Sequence, residues 1–97
     1  MTYTEFQDAL QVLGLREWST IREIRGRHRE LVKRYHPDSG GDPHNEQIAQ
    51  INAAYRIISD YLDAYRYSFS EDEFYAQNPE ERMRRQFMDS PLWGGAR

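Results

Sequence analysis

The chain has 97 residues, 38% of them hydrophobic and 30% charged, which allows one small core and leaves little room for a deep enzyme pocket. It has no cysteine, so a disulfide scaffold and a cysteine zinc site are excluded, and the start "MTYTEFQDAL" has neither the basic region nor the apolar run of a secretory leader. These features predict a small, soluble, cytoplasmic domain without cofactor or metal. The net charge of −3 conceals a segregation. Residues 20–36 hold Arg22, Arg25, Arg27, Arg29, Lys33 and Arg34 against Glu23 and Glu30, whereas residues 39–81 hold nine acids against Arg56 and Arg66. A basic segment in an acidic protein steers association with an acidic surface.

In chain order, Thr2 and Glu5 have the spacing of a capping box, and Tyr3, Phe6, Leu10 and Leu13 then fall on one helical face, with Gly14 as the stop. Thr20 and Glu23 open a second helix whose apolar positions are Ile21, Ile24, Leu31, Val32 and Tyr35, with His28 filling the gap as a packing residue. Its other side carries Arg22, Arg25, Arg29 and Lys33 at spacings of 3, 4 and 4, one cationic stripe. Pro37 ends it, since the residue before a proline is biased away from helical geometry. Asp42-Pro43 reads as the cap and first residue of a third helix, with Ile48, Ile51, Tyr55, Ile58, Leu62 and Tyr65 as its stripe. Helices two and three are expected to pair as an antiparallel hairpin, the first helix covering their seam. Ser70/Glu73 is a further possible capping box and "NPEE" at residues 78–81 a further helix start. Met83 and Phe87 form a narrow stripe on that last helix, and "SPLWGGAR" is a non-helical tail that either folds back or engages a partner.

The basic helix followed by "YHPD", a glycine-containing loop and "IAQINAAYRIISD" resembles a J domain, the co-chaperone module of DnaJ proteins, over roughly residues 3–66. The resemblance implies an all-α fold, with a J domain at residues 1–67 and a C-terminal helical extension at residues 68–97. It implies no enzymatic activity of its own, but stimulation of ATP hydrolysis by a DnaK-type, 70-kDa heat-shock chaperone. His36, Pro37 and Asp38 match the family's signature, and Arg25 and Arg29 match its basic contacts, with Arg22 and Lys33 completing the stripe. Pro37 fixes its own φ, Asp38 offers a carboxylate for a charge-assisted arginine bond, and His36 donates or accepts according to tautomer. Three positions depart from the pattern: His28 stands where an aromatic residue is frequent, Ser39 where a basic one is usual, and Glu30 trims the cationic face. Residues 68–97 are read as the place for any client or assembly contact.

Other readings remain at this level. A J-like scaffold would lack ATPase stimulation, although loss of His-Pro-Asp is its usual mark. A helix-turn-helix nucleic-acid binder would use Arg22, Arg25, Arg27 and Arg29 on phosphates, against the acidic balance and a poor supply of Asn, Gln or Ser on that helix to read bases. A metal cluster of His36, His44, Asp38 and Asp42 has suitable ligand types but nothing to set a tetrahedral arrangement.

Overall fold

Local signals at the first helix hold in full. The computed structural model describes residues 1–36 and 45–89. Helix α1, Tyr3–Leu13, opens on a complete capping box: Glu5 N–H donates to Thr2 Oγ1 at 3.1 Å and Thr2 N–H to Glu5 Oε2 at 3.3 Å. It closes at Gly14, which takes the left-handed conformation (φ 64°, ψ 35°). Gly14 N–H donates to the Gln11 carbonyl and Leu15 N–H to that of Leu10, both at 3.0 Å, and Leu15 packs against the core. This is the Schellman arrangement, in which two end carbonyls gain partners. The positive φ favours glycine, and a β-carbon at Gly14 would stand 3.2 Å from Arg27 Nη2, so the guanidinium would have to give way by a few tenths of an ångström.

Helix α2, Ile21–Tyr35, begins on a second full capping box, with Glu23 N–H donating to Thr20 Oγ1 and Thr20 N–H to Glu23 Oε1. Gly26 in its interior has open space around it: an added β-carbon meets only Arg29 Nη2, at 3.9 Å. Alanine there gains helix propensity with no clash. Gly26→Ala is therefore expected to stabilise by about 0.5–1 kcal/mol, a rise of roughly 3–8 °C in a thermal melt. An unchanged or lower melting temperature would show that the glycine is needed for packing.

Helix α3 runs Glu46–Asp63. Its cap is Asn45, whose Oδ1 accepts from Gln47 N–H at 2.8 Å. Asp42 and Pro43 themselves lie outside the described residues.

Seven buried residues form the core: Ala9 and Leu13 of α1, Ile24 and Leu31 of α2, Ile51, Ala54 and Ile58 of α3. Helix α3 is the central element. The expected α2–α3 pairing is present with α1 against it; α1 packs more extensively on α3 than α2 does and touches α2 only slightly. Ala9 of α1 and Ala54 of α3 are both buried in the core, where small side chains allow helix axes to approach. Conversely, Tyr3 and Tyr65, which the apolar spacing assigned to buried stripes, are 73% and 51% exposed. Tyr55 and His28 are half-buried against each other.

The chain divides into two compact units, Met1–Tyr65 and Arg66–Arg97. In the second, α4 (Glu71–Gln77) and α5 (Pro79–Met88) form a short helical pair. Ser70 Oγ accepts from Glu73 N–H at 3.1 Å, but the box is only half made, because the Glu73 carboxylate accepts from Gln77 Nε2 instead. Asn78 ends α4 with backbone and side-chain N–H groups both donating to the Phe74 carbonyl, and Pro79 starts α5 as expected. Arg85 ties the pair: it donates to Glu71 and to the Tyr75 hydroxyl, and its guanidinium lies 5.6 Å from the Tyr75 ring centroid. The hydrogen bond to Glu71, then that to Tyr75, pushes the Arg85 guanidinium still further above the ordinary arginine range. No described residue of α4 or α5 is buried, and Met83 and Phe87 are exposed. Leu92 and Trp93 lie outside the described residues. No described helix is long and apolar enough to cross a membrane.

Candidate partner-binding face of the second helix

Arg22, Arg25, Arg29 and Lys33 are all exposed on α2, on the side away from Ile24 and Leu31. The same spacing continues by three residues to His36, so the row ends at the first residue of the His-Pro-Asp sequence, about 21 Å from Arg22 at 1.5 Å per residue. Among the described residues no carboxylate lies within ion-pairing distance of Arg22, Arg25 or Arg29. Glu30, expected to trim the row, does not. It accepts from Arg27 Nη1 at 3.2 Å and stands 4.0 Å from Arg34 Nη2, neutralising the opposite flank of the helix.

Arg27 is turned inward. Its Nε donates to the Leu13 carbonyl at 2.9 Å, in a part-buried bond between helices. Helix α1 has no basic residue in its last turn, so Arg27 supplies the cation that the negative end of its dipole favours. That use removes Arg27 from the set of phosphate contacts which the nucleic-acid reading requires.

His36 is exposed and extended, with φ −66° and ψ 139°, the geometry expected of a residue preceding proline. Lys33 and Arg34 occupy the last turn of α2, where the dipole welcomes positive charge. Asn45 ties the two helices together beside the loop: besides capping α3, its Nδ2 donates to the Tyr35 carbonyl at 3.1 Å. Sequence reading missed that role, since Asp42-Pro43 offered the stronger local start signal. Pro37 and Asp38 lie outside the described residues, as do His44, Asp38 and Asp42 of the alternative metal cluster. Among the described residues no three metal-ligating side chains come together.

His28 is a packing residue. Its ring stacks on Tyr55 with centroids 3.8 Å apart and planes 2° from parallel, and Nε2–H donates to Asn52 Oδ1 at 3.1 Å. It thus performs the aromatic packing role of the residue type frequent at that position, on the flank of α2 facing α3.

A cationic second helix paired with a long third, in a unit whose described elements are all helices, fits a J-type domain. A family model described as the DnaJ domain matches residues 8–67, and the chain belongs to that family. Among relatives, it is 42% identical over 55 residues to the chaperone protein DnaJ of Hydrogenobacter thermophilus, covering 56% of this chain and 15% of that protein. It is 37% identical over 76 residues to the chaperone protein DnaJ of Lysinibacillus sphaericus, covering 77% and 19% respectively. With the curved DNA-binding protein of Coxiella burnetii it shares 35% over 57 residues, covering 58% and 18%. The chain thus spans less than a fifth of the length of these relatives. No solved structure matches it.

Proposed function

We propose that this domain is a co-chaperone that docks on the ATPase domain of a DnaK-type, 70-kDa heat-shock chaperone and stimulates its ATP hydrolysis. The observation that carries this reading is the row of arginines on α2 leading to His36, in which Arg22, Arg25 and Arg29 pair with no carboxylate among the described residues. Such a row seats on an acidic surface and brings the His36-Pro37-Asp38 sequence to a fixed place beside it. There the Asp38 carboxylate accepts a charge-assisted bond from a partner arginine. Pro37 limits the conformations in which it does so. The domain supplies no catalytic group; it binds the hydrolysis-competent state of the ATPase better than the other states and shifts its population.

The test is single-turnover ATP hydrolysis by a DnaK-type chaperone, with the parent protein and with His36→Gln. Stimulation by the parent and none by the variant, at unchanged helicity, is expected. Equal stimulation by both would take the trigger away from this sequence. No stimulation by either, across several such chaperones, would leave a J-like scaffold.

A further inference from the structure

The second unit has no buried residue among those described in α4 and α5, and Phe74, Met83, Phe87 and Met88 are each more than half exposed. The two helices meet instead on polar sides. The cleft between them is lined by Glu71, Asp72 and Tyr75 of α4 and by Arg82, Arg85 and Gln86 of α5. Packed helices ordinarily turn their apolar stripes inward, so apolar burial contributes little to holding this pair closed.

Closure depends on one side chain. Among the described residues, every side-chain hydrogen bond between α4 and α5 comes from Arg85, which donates to Glu71 and to the Tyr75 hydroxyl, while its guanidinium lies 5.6 Å from the Tyr75 ring centroid. Arg82, about one turn earlier on the same cleft, pairs with no carboxylate among the described residues. Neither helix is long enough to persist without such a tie. They have seven and ten residues, whereas isolated helices shorter than about 12–15 residues are marginal in water. The Arg85 and Glu71 side chains are themselves 52% and 66% exposed, so their attraction is open to screening by salt. An ordered pair that depends on one exposed ion contact stands close to balance with its disordered form.

We propose that the second unit is an electrostatic order–disorder switch: Arg85 clasps Glu71 and Tyr75 to keep α4 and α5 helical, and ions that weaken the clasp release both helices together. The first unit has a core of its own and does not follow. This inference does not rest on docking by α2.

The test is amide exchange, read by NMR on the 15N-labelled full chain at about 0.1 M and about 1 M NaCl, where the Debye length is about 10 Å and about 3 Å. Protection in α4 and α5 should fall together at the higher salt, while that of the first unit holds. Arg85→Gln should lower protection within α4, a helix to which it does not belong, about 3- to 30-fold at the lower salt, and remove most of the salt response. Arg82→Gln should behave as the parent, because that residue carries the same charge on the same cleft without the contacts. Glu71→Arg/Arg85→Glu should recover part of the protection that Arg85→Glu alone loses. Equal protection of α4 in the parent and in Arg85→Gln, or an equal loss from Arg82→Gln, would overturn the proposal. So would protection that salt leaves unchanged, or an α4 already unprotected in the parent at the lower salt.

Discussion

Arg25→Glu/Arg29→Glu is expected to lower the domain's apparent affinity for a DnaK-type chaperone by roughly 30-fold or more. The two side chains are one turn apart and exposed, and neither pairs with a carboxylate among the described residues, so in the free protein they serve no internal contact. Each reversal removes an attraction and puts a like charge against an acidic surface. Two together amount to about 2–4 kcal/mol across a docked interface. The loss should appear mainly as a slower association rate, and binding by the parent should weaken with salt while that of the variant hardly responds. Stopped-flow association at two ionic strengths, with circular dichroism as the control for folding, decides the matter. Undiminished docking would mean that another face of the molecule makes the contact.

Leu13→Ala is expected to destabilise the protein by about 2–5 kcal/mol, the range for emptying a fully buried leucine site. Leu13 is 0% exposed, and only seven described residues are buried at all, so the cavity has few neighbours able to close it. For a domain of this size the loss corresponds to a fall of roughly 10–30 °C in melting temperature. Leu13→Met, which nearly conserves volume, should lose less than about 1.5 kcal/mol. The backbone carbonyl of Leu13 still accepts from Arg27 in both variants, so their difference isolates side-chain packing. A drop under about 1 kcal/mol for the alanine variant would be too small for a fully packed site, and would show that α1 is not seated on α3 as described.

The helix starts at Thr2 and Thr20 were legible because a capping box is a contact between residues three apart. Gly14 was legible for a similar reason, since the left-handed turn it makes is local. Ala9 and Ala54 were not, because alanine is at home on either face and only the approach of a second helix makes it core. The spacing that placed Tyr3 and Tyr65 in stripes gave the correct helix face. It carried no information on where the helices themselves end: Tyr3 is the first residue of α1, and Tyr65 lies past Asp63, the last residue of α3. Arg27 and Arg29 are the same residue type two positions apart, yet one binds a carbonyl fourteen residues back and the other faces outward. Angular position on the helix separates Arg27 from the row, but its acceptor could be found only in three dimensions. The cationic row was legible as periodicity, and His36-Pro37-Asp38 only through its resemblance to a family, since three residues alone specify no chemistry.

The close seating of α1 on α3 has a kinetic corollary. Leu13 and Ile51 are brought into one core across about forty residues of intervening chain, whereas α2 and α3 follow one another directly, so the loop to be closed is longer for α1. Contacts that close the longer loop tend to form late and to open early. Departure of α1 would uncover Ile51, Ala54 and Ile58 together, leaving α2 and its arginine row still paired with α3. Amide exchange should then report two levels of protection within one small domain, with α1 released before the α2–α3 pair.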